Sequence, residues 1–178
     1  MFNEPLLKFD DCKVAVDAWS AGKDPHYYAV LSGAASDPSS EPAGVMSYLS
    51  VVPDHRRIEI GCIIFGERLK QTRGTTEASY LLLKHAFEDL GYLRVEWKAD
   101  ALNKPSAIAA ERLGFVYEGI FRQRDTIWFS MTDTEWPTVK AHLEAWLHAG
   151  NFDGSGKQRQ GLRDLSAGSK VNPTEETS

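Results

Sequence analysis

The fold of this chain is decided by the stretch Arg57-Ile-Glu-Ile-Gly-Cys-Ile-Ile-Phe65 and its continuation Leu69-Lys-Gln-Thr-Arg-Gly-Thr-Thr-Glu-Ala78. The first part is a short run rich in β-branched residues, which is typical of a strand covered on both faces. The second part is a polar loop with one glycine that opens a helix. The first turn of a helix leaves backbone N–H groups unpaired, and Lys70 and Arg73 add positive charge there. The order strand, loop, helix therefore predicts an anion site suited to a pyrophosphate.

The same loop has a plainer interpretation. It can be a basic surface turn followed by an ordinary helix start, with Thr75 or Thr76 as N-cap and Glu77 in the favoured first turn. One glycine is far from a complete phosphate-binding fingerprint. No Gly-Lys-Ser or Gly-Lys-Thr follows, which argues against a nucleotide P-loop.

Outward from this stretch, the pattern of apolar and turn residues predicts alternating strands and helices. Upstream we predict a helix over residues 8–22 and strands at 27–31 and 44–52, which with the strand Arg57–Phe65 form an antiparallel meander. Downstream we predict, in order, a helix at 75–90, a strand at 94–99, a helix at 103–113, strands at 115–121 and 126–131, and a helix at 136–148.

Length and composition limit the number of domains. The chain has 178 residues, enough for one domain with a sizeable core. We assign residues 1–150 to a single domain. From residue 151 to 178 the chain is rich in Gly, Ser, Lys and Gln and has few apolar residues, which predicts a flexible tail.

Charge and cysteine content exclude several classes of function. The formal net charge of −5 argues against nucleic acid or an anionic membrane as partner, because both reward dense Lys and Arg on one face. Cys12 and Cys62 cannot build a disulfide framework, and no Cys/His cluster has zinc spacing, so we expect no metal site. The N-terminal residues lack the apolar core of a signal peptide, and no apolar run approaches the ~20 residues of a membrane span. We therefore expect a cytoplasmic protein.

Four short segments resemble one known family. They are Ile58-Glu-Ile-Gly61, Thr76-Glu-Ala78, Asp100-Ala-Leu-Asn-Lys-Pro-Ser106 and Glu111-Arg-Leu-Gly-Phe115. Together they make residues 20–150 similar to a GNAT-superfamily N-acetyltransferase, most similar to the RimJ/RimL-like branch. The resemblance implies an α+β fold of three layers, with a mixed, mostly antiparallel sheet flanked by helices. It also implies that the strands at 57–65 and 94–99 splay apart around acetyl-CoA.

The resemblance implies a set of cofactor-binding residues. The pantetheine arm would pair with the backbone of Cys62, Ile63, Ile64 and Phe65. The pyrophosphate would lie on the loop formed by Lys70, Gln71, Thr72, Arg73, Gly74, Thr75 and Thr76. This loop departs from the family pattern Gln/Arg-x-x-Gly-x-Gly/Ala, because either alignment frame, starting at Lys70 or at Gln71, lacks one or more of the small residues.

Catalytic candidates also follow from the resemblance. Glu59 is the expected general base, and its alternative role is a surface carboxylate paired with Arg57 or Lys98. Asn103 would contact the cofactor and Ser106 would bind it and donate to the departing sulfur, or both would serve only the first turn of their helix. His55 is a reserve base. No cysteine lies where a covalent acetyl carrier would be expected, which favours direct attack in a ternary complex. We expect Cys62, on the cofactor strand, to be a small buried residue.

Two departures from the family pattern leave the identity of the acetyl acceptor open. Relatives begin with a further strand and helix before the equivalent of residue 8, and they carry a hairpin after Gln123 that this sequence lacks. The expected acceptor is a primary amine, whether in a small molecule, a peptide N-terminus or a secondary-metabolite intermediate. The alternative is a truncated, non-catalytic relic that binds CoA or another protein. Exposure of the strand at 27–31 would also allow a homodimer.

Overall fold

The computed structural model describes residues 9–167, and the strands of this part of the chain form one six-stranded sheet. The strands are β1 (His26–Leu31), β2 (Pro42–Val52), β3 (Arg57–Phe65), β4 (Arg94–Asp100), β5 (Val116–Phe121) and β6 (Thr126–Thr132). Their order is β1-β2-β3-β4-β6-β5, and β3 with β4 is the one parallel pair among them. The predicted mixed, mostly antiparallel sheet and the meander of the first three strands are confirmed.

Helices flank this sheet. They are α1 (Phe9–Ala21), α2 (Arg73–Lys84), α3 (Lys104–Arg112), α4 (Trp136–Leu147) and α5 (Leu162–Ala167), with 3-10 turns at Pro53–His55 and Ala149–Asn151. A π-helical turn at His85–Asp89 continues α2. None of the helices found between residues 9 and 167 has the length and apolar character needed to cross a membrane.

The predicted start of α2 was wrong by two residues. The helix begins at Arg73, so its N-cap is Thr72, in extended backbone, rather than Thr75 or Thr76. The Thr75 hydroxyl instead donates to the Thr72 carbonyl, 2.9 Å away, as threonines inside helices often do. The first turn, whose unpaired backbone N–H groups can bind an anion, therefore lies at residues 73–75.

Strand alternation divides the sheet into an apolar and a charged face. Alternate strand residues such as Ile58, Val95 and Phe129 are buried in one cluster with residues of the helices, among them Leu83 and Leu143. The residues between them point to the opposite face, where Glu59, Glu96 and Lys98 form ion pairs. Helices α2, α3 and α4 thus cover the apolar face. Titratable groups collect on the other face, where Trp19 of α1 stacks on Tyr27.

The segment from residue 151 is not the flexible tail that its composition suggested, at least as far as residue 167. Leu162 of α5 is 3% exposed and belongs to the core cluster. The Phe152 ring packs edge-on against Trp146, with ring centres 5.2 Å apart. A few apolar residues hold this segment against the core, although residues 153–160 are exposed, and average composition does not reveal them. Residues 168–178 lie outside the described part of the chain.

Candidate functional site

Two neighbouring strands separate in the middle of the sheet. The hydrogen-bonded pairing of β3 with β4 covers Arg57 with Arg94, Ile58 with Val95 and Glu59 with Glu96, and ends there. Beyond this point β3 stays paired with β2 as far as Phe65, and β4 with β6 as far as Asp100. The carboxyl-terminal halves of β3 and β4 therefore present unpaired backbone edges to a shared gap. This is the splay of the two strands that the family resemblance implied.

A β-bulge shapes the β3 side of this gap. Ser47 pairs with Gly61 and Val45 with Ile64, so the two residues Cys62 and Ile63 oppose a single residue of β2. Cys62 takes a positive φ of 48° and is exposed.

The prediction that Cys62 is buried was therefore wrong, because the bulge turns its side chain out of the sheet. Burial and a hydrogen bond with Cys62 raise the pKa of the neighbouring Tyr27 to about 12.

The loop after β3 leads to the amino end of α2 and determines its conformation. Leu69 N donates to the Gly66 carbonyl and Thr72 N to the Leu69 carbonyl, at 2.9 and 3.2 Å, which folds the loop back on itself. Gln71 lies in the left-handed region, at φ 59°. No side chain within residues 9–167 caps the helix that follows. The first backbone N–H groups of α2, at residues 73–75, are thus available to an anion.

Gly74 fits this turn for a steric reason. A Cβ added there would come within 3.1 Å of Leu69 Cδ2, which is closer than most real Cβ contacts. A side chain at Gly74 would therefore push on the loop that shapes the helix start.

The charged residues of the loop differ in what they contact. Lys70 forms an ion pair with Glu67. Arg73 is 4.0 Å from Glu77, and its guanidinium lies over the Phe152 ring. Thr76 faces inward, because it is only 1% exposed. Among the seven predicted loop residues, Thr76 thus offers its side chain to the interior and not to a ligand.

Glu59 lies where the strands begin to separate. It is 7% exposed, and its Oε2 accepts from Lys98 Nζ at 2.7 Å and from Ser50 Oγ at 3.0 Å. The ion pair with Lys98 was the alternative role considered for this residue, whereas Arg57 pairs with Glu96. Oε1 has no hydrogen-bond partner among the described residues and lies on the side of Gly61, where an added Cβ would be 3.6 Å away. Glu59 therefore keeps one free carboxylate oxygen next to the gap.

A second carboxylate, not predicted from sequence, supports this arrangement. Burial alone would raise the pKa of Glu96, but hydrogen bonds from Lys98 and Arg94, and the nearby charge of Arg57, hold it below its usual value. Lys98 bridges Glu96 at 2.9 Å and Glu59 at 2.7 Å. The alternation Arg94-Val-Glu-Trp-Lys98 was the available signal, because it places these three charges on one face of β4.

The amino end of α3 carries the other two candidates. Asn103 Oδ1 accepts from Ser106 N at 3.2 Å and is the N-cap of the helix, as the alternative for this residue proposed. Ser106 Oγ accepts from the Trp97 indole N–H at 2.9 Å. Since a hydroxyl has one hydrogen and two lone pairs, this contact leaves the Ser106 hydrogen free to be donated. Trp97 thus fixes the orientation of Ser106.

His55 is not placed to act in the gap. It is exposed in the turn Pro53–His55, next to the end of β3 that is paired with β4. Within residues 9–167, no group of three or more His, Cys, Asp or Glu side chains is arranged to hold a metal ion.

Comparison with known proteins gives the family. Residues 7–116 match the acetyltransferase (GNAT) domain. The chain belongs to the GNAT acetyltransferase family. A GNAT structure from Brucella melitensis, described as a GCN5-related N-acetyltransferase, is 36% identical with a TM-score of 0.87, over 94% of this chain and 77% of that chain. No curated protein sequence matches the chain.

Other GNAT structures are similar over less of the chain. A probable acetyltransferase of the GNAT family from Chromobacterium violaceum is 39% identical with a TM-score of 0.68, over 75% of this chain and 69% of that chain. A spermidine N-acetyltransferase from Vibrio cholerae is 17% identical with a TM-score of 0.56, over 76% of this chain and 82% of that chain, and shows similarity of fold alone. Membership of this family implies acetyl-CoA as co-substrate.

Proposed function

We propose that this protein is an acetyl-CoA-dependent N-acetyltransferase of the RimJ/RimL-like branch, which acetylates a primary amine by direct attack in a ternary complex. The observation that carries the proposal is the gap between β3 and β4. The loop after β3 leads from this gap to the amino end of α2, which no side chain of the described residues caps. The unpaired strand edges suit an extended chain with amide groups, and the amino end of α2 suits a pyrophosphate. Acetyl-CoA contains both, and its thioester supplies the acetyl group.

The backbone of residues 62–65 would hold the pantetheine arm, because these residues have no strand partner on the β4 side. The amides of residues 73–75 would hold the pyrophosphate. The positive charge of Arg73 supports this assignment, whereas the charge of Lys70 is offset by its ion pair with Glu67. The residues present therefore fit the co-substrate that the family implies.

Glu59 would receive a proton from the attacking amine through its free oxygen Oε1. Its other oxygen is occupied by Lys98 and Ser50, so the carboxylate is fixed in one orientation. Ser106 would donate its hydroxyl hydrogen to the sulfur of the leaving group, since the Trp97 indole already occupies one of its lone pairs. As the N–C bond forms and the C–S bond breaks, one proton would pass from the amine to Glu59, and CoA would leave as a thiolate that accepts a hydrogen bond from Ser106. Glu59 would return its proton to solvent, and the thiolate would take one up.

Release of the CoA thiol in the presence of a panel of primary amines tests this function. Glu59→Gln should lower the transfer rate by about 10²-fold or more, as loss of a general base does, while CoA still binds. Glu88→Gln is a matched control, because Glu88 is also an ion-paired carboxylate but lies against α4, bonded to Lys140. A Glu59→Gln variant with the wild-type rate would show that this residue is not the base.

One observation favours a second function, a CoA-binding protein without turnover. The ion pair with Lys98 competes for the Glu59 carboxylate and so opposes its action as a base. In this alternative, the outer edge of β1 would be available to pair with a strand of another chain. CoA would then raise the melting temperature by ligand linkage, but no amine would cause thiol release.

A further inference from the structure

Two aromatic rings lie against two arginines at the amino end of α2. The Arg73 guanidinium carbon is 5.3 Å from the centre of the Phe152 ring, and that of Arg112 is 4.9 Å from the centre of the Trp146 ring. Arg112 also donates to the Thr76 hydroxyl at 2.9 Å. The rings of Phe152 and Trp146 contact each other edge to face, with an interplanar angle of 84°. This aromatic pair therefore connects the C-terminal segment to the helix start of the proposed cofactor site.

The aromatic pair is held firmly by its own surroundings. Trp146 is buried, and its indole N–H donates to Gln158 Oε1 at 3.0 Å. Asn151 Nδ2 donates to the carbonyls of Trp146 and Gln160, at 3.0 and 3.2 Å. The backbone of Phe152 forms a bridge with Gln158. The position of the Phe152 ring is thus determined by the fold of residues 146–160.

Stacking leaves the arginine able to bind a ligand. A guanidinium lying on a ring uses its flat face, and its N–H donors around the edge remain free for a phosphate. The Arg73 side chain is 44% exposed, and its distance of 4.0 Å from Glu77 is at the limit for an ion pair. Arg73 is also the first residue of α2, in the turn that would receive the pyrophosphate.

The second arginine adds positive charge that is not neutralised. Within residues 9–167, Arg112 has no carboxylate within ion-pair distance, although the neighbouring Glu111 pairs with Arg163. Burial, and then the charge of Arg163, lower the pKa of Arg112. An anion at the start of α2 would offset this unpaired cation.

We propose that Phe152 is a positioning residue for the phosphate end of acetyl-CoA, because it holds the Arg73 guanidinium beside the first turn of α2. The inference rests on the proposed function, since it adds a residue to the same cofactor site. Phe152 acts through Arg73 and does not itself contact the phosphates. The segment after residue 150 would then be part of the cofactor site and not merely part of the fold.

The test compares the affinity for CoA with that for pantetheine, which lacks the phosphates, by calorimetric titration and competition. Phe152→Leu keeps part of the apolar volume but removes the ring, and should weaken CoA binding about two- to fivefold while leaving the affinity for pantetheine unchanged. Phe152→Tyr should restore the CoA affinity. In an Arg73→Ala background, Phe152→Leu should have no further effect on CoA. Phe121→Leu removes an exposed ring from β5 and should leave CoA affinity unchanged.

Two results would overturn the inference. One is an equal loss of affinity for CoA and pantetheine in Phe152→Leu, which indicates general damage to the site. The other is an effect of Phe152→Leu that is the same with and without Arg73. Failure of the wild-type protein to bind CoA at all would instead contradict the proposed function, so the two failures are distinguishable.

Discussion

Replacing Lys98 by methionine tests the charged cluster beside the gap. The Lys98 ammonium contacts Glu59 at 2.7 Å and Glu96 at 2.9 Å, and lies 4.0 Å from the centre of the Trp128 ring. Methionine keeps most of the apolar stem, so the change removes the charge with little loss of packing. Any loss of stability in Lys98→Met should therefore come from the two carboxylates, Glu59 and Glu96, that lose their contact with the ammonium.

The two carboxylates differ in what they retain. Glu96 keeps Arg57 and Arg94, at 3.2 and 3.0 Å. Glu59 keeps only the Ser50 hydroxyl, at 3.0 Å. Leaving one charge of a buried pair unpaired costs about 3–5 kcal/mol. The Lys98 side chain is 17% exposed, and water and Ser50 offset part of this penalty. We expect Lys98→Met to lower the free energy of unfolding by about 2–3 kcal/mol, which corresponds to about 4–12 °C in Tm.

Urea unfolding at pH 7 of Lys98→Met, Glu59→Gln and the double variant provides the measurement. The double variant should be more stable than Lys98→Met alone, because a neutral glutamine in place of Glu59 needs no cation. The reasoning is refuted if Lys98→Met changes the unfolding free energy by less than about 0.5 kcal/mol, or if the two single effects simply add.

Three further predictions concern the site and the fold. Ser106→Ala should slow acetyl transfer by about 10²-fold and weaken CoA binding by about tenfold or less, the effect of one lost hydrogen bond. Steady-state rates and calorimetry check this, and an unaffected rate would remove Ser106 from the mechanism. Hydrogen bonds from Arg94 hold the pKa of Glu118 below its usual value, so this carboxylate contributes stability that is present above its unfolded pKa and lost as pH falls through its lowered folded pKa. Glu118→Gln should therefore lower the free energy of unfolding by about 0.5–1 kcal/mol at pH 7, a value discounted for the exposure of the side chain. At a pH low enough to protonate Glu118 in both the folded and the unfolded protein, the substitution should have no effect. Urea unfolding across pH checks this, and a loss of stability that does not depend on pH would contradict it. Leu162→Ala should lower the free energy of unfolding by about 2–3 kcal/mol, because Leu162 is buried, whereas a change near zero would mean that α5 does not belong to the core.

The succession of strands and helices was predictable because local patterns determine it. The β-branched run of β3 gave the bounds Arg57–Phe65 that the structure has, and the alternation of apolar and charged residues placed Glu59 and Lys98 on one face. The splay followed from the family resemblance and is present in the pairing of β3 with β4.

Features that depend on distant partners were not predictable. The bulge at Cys62 arises from the register with β2, so nothing within the β3 sequence indicated that this side chain is exposed. The composition of residues 151–178 predicts a tail, whereas the Phe152 ring contacts Arg73, which comes from a distant part of the chain. The start of α2 at Arg73 depends on the folded loop before it, where several threonines compete as N-cap.

The central claim is that acetyl-CoA lies in the gap between β3 and β4 with its phosphates at the start of α2. Backbone amide hydrogen exchange, measured with and without acetyl-CoA, tests this directly. The account predicts slower exchange at residues 62–65 and 73–75 when the ligand is bound, and unchanged exchange in β1 and β5. Ligand binding that leaves the exchange of residues 62–65 and 73–75 unaltered would contradict it.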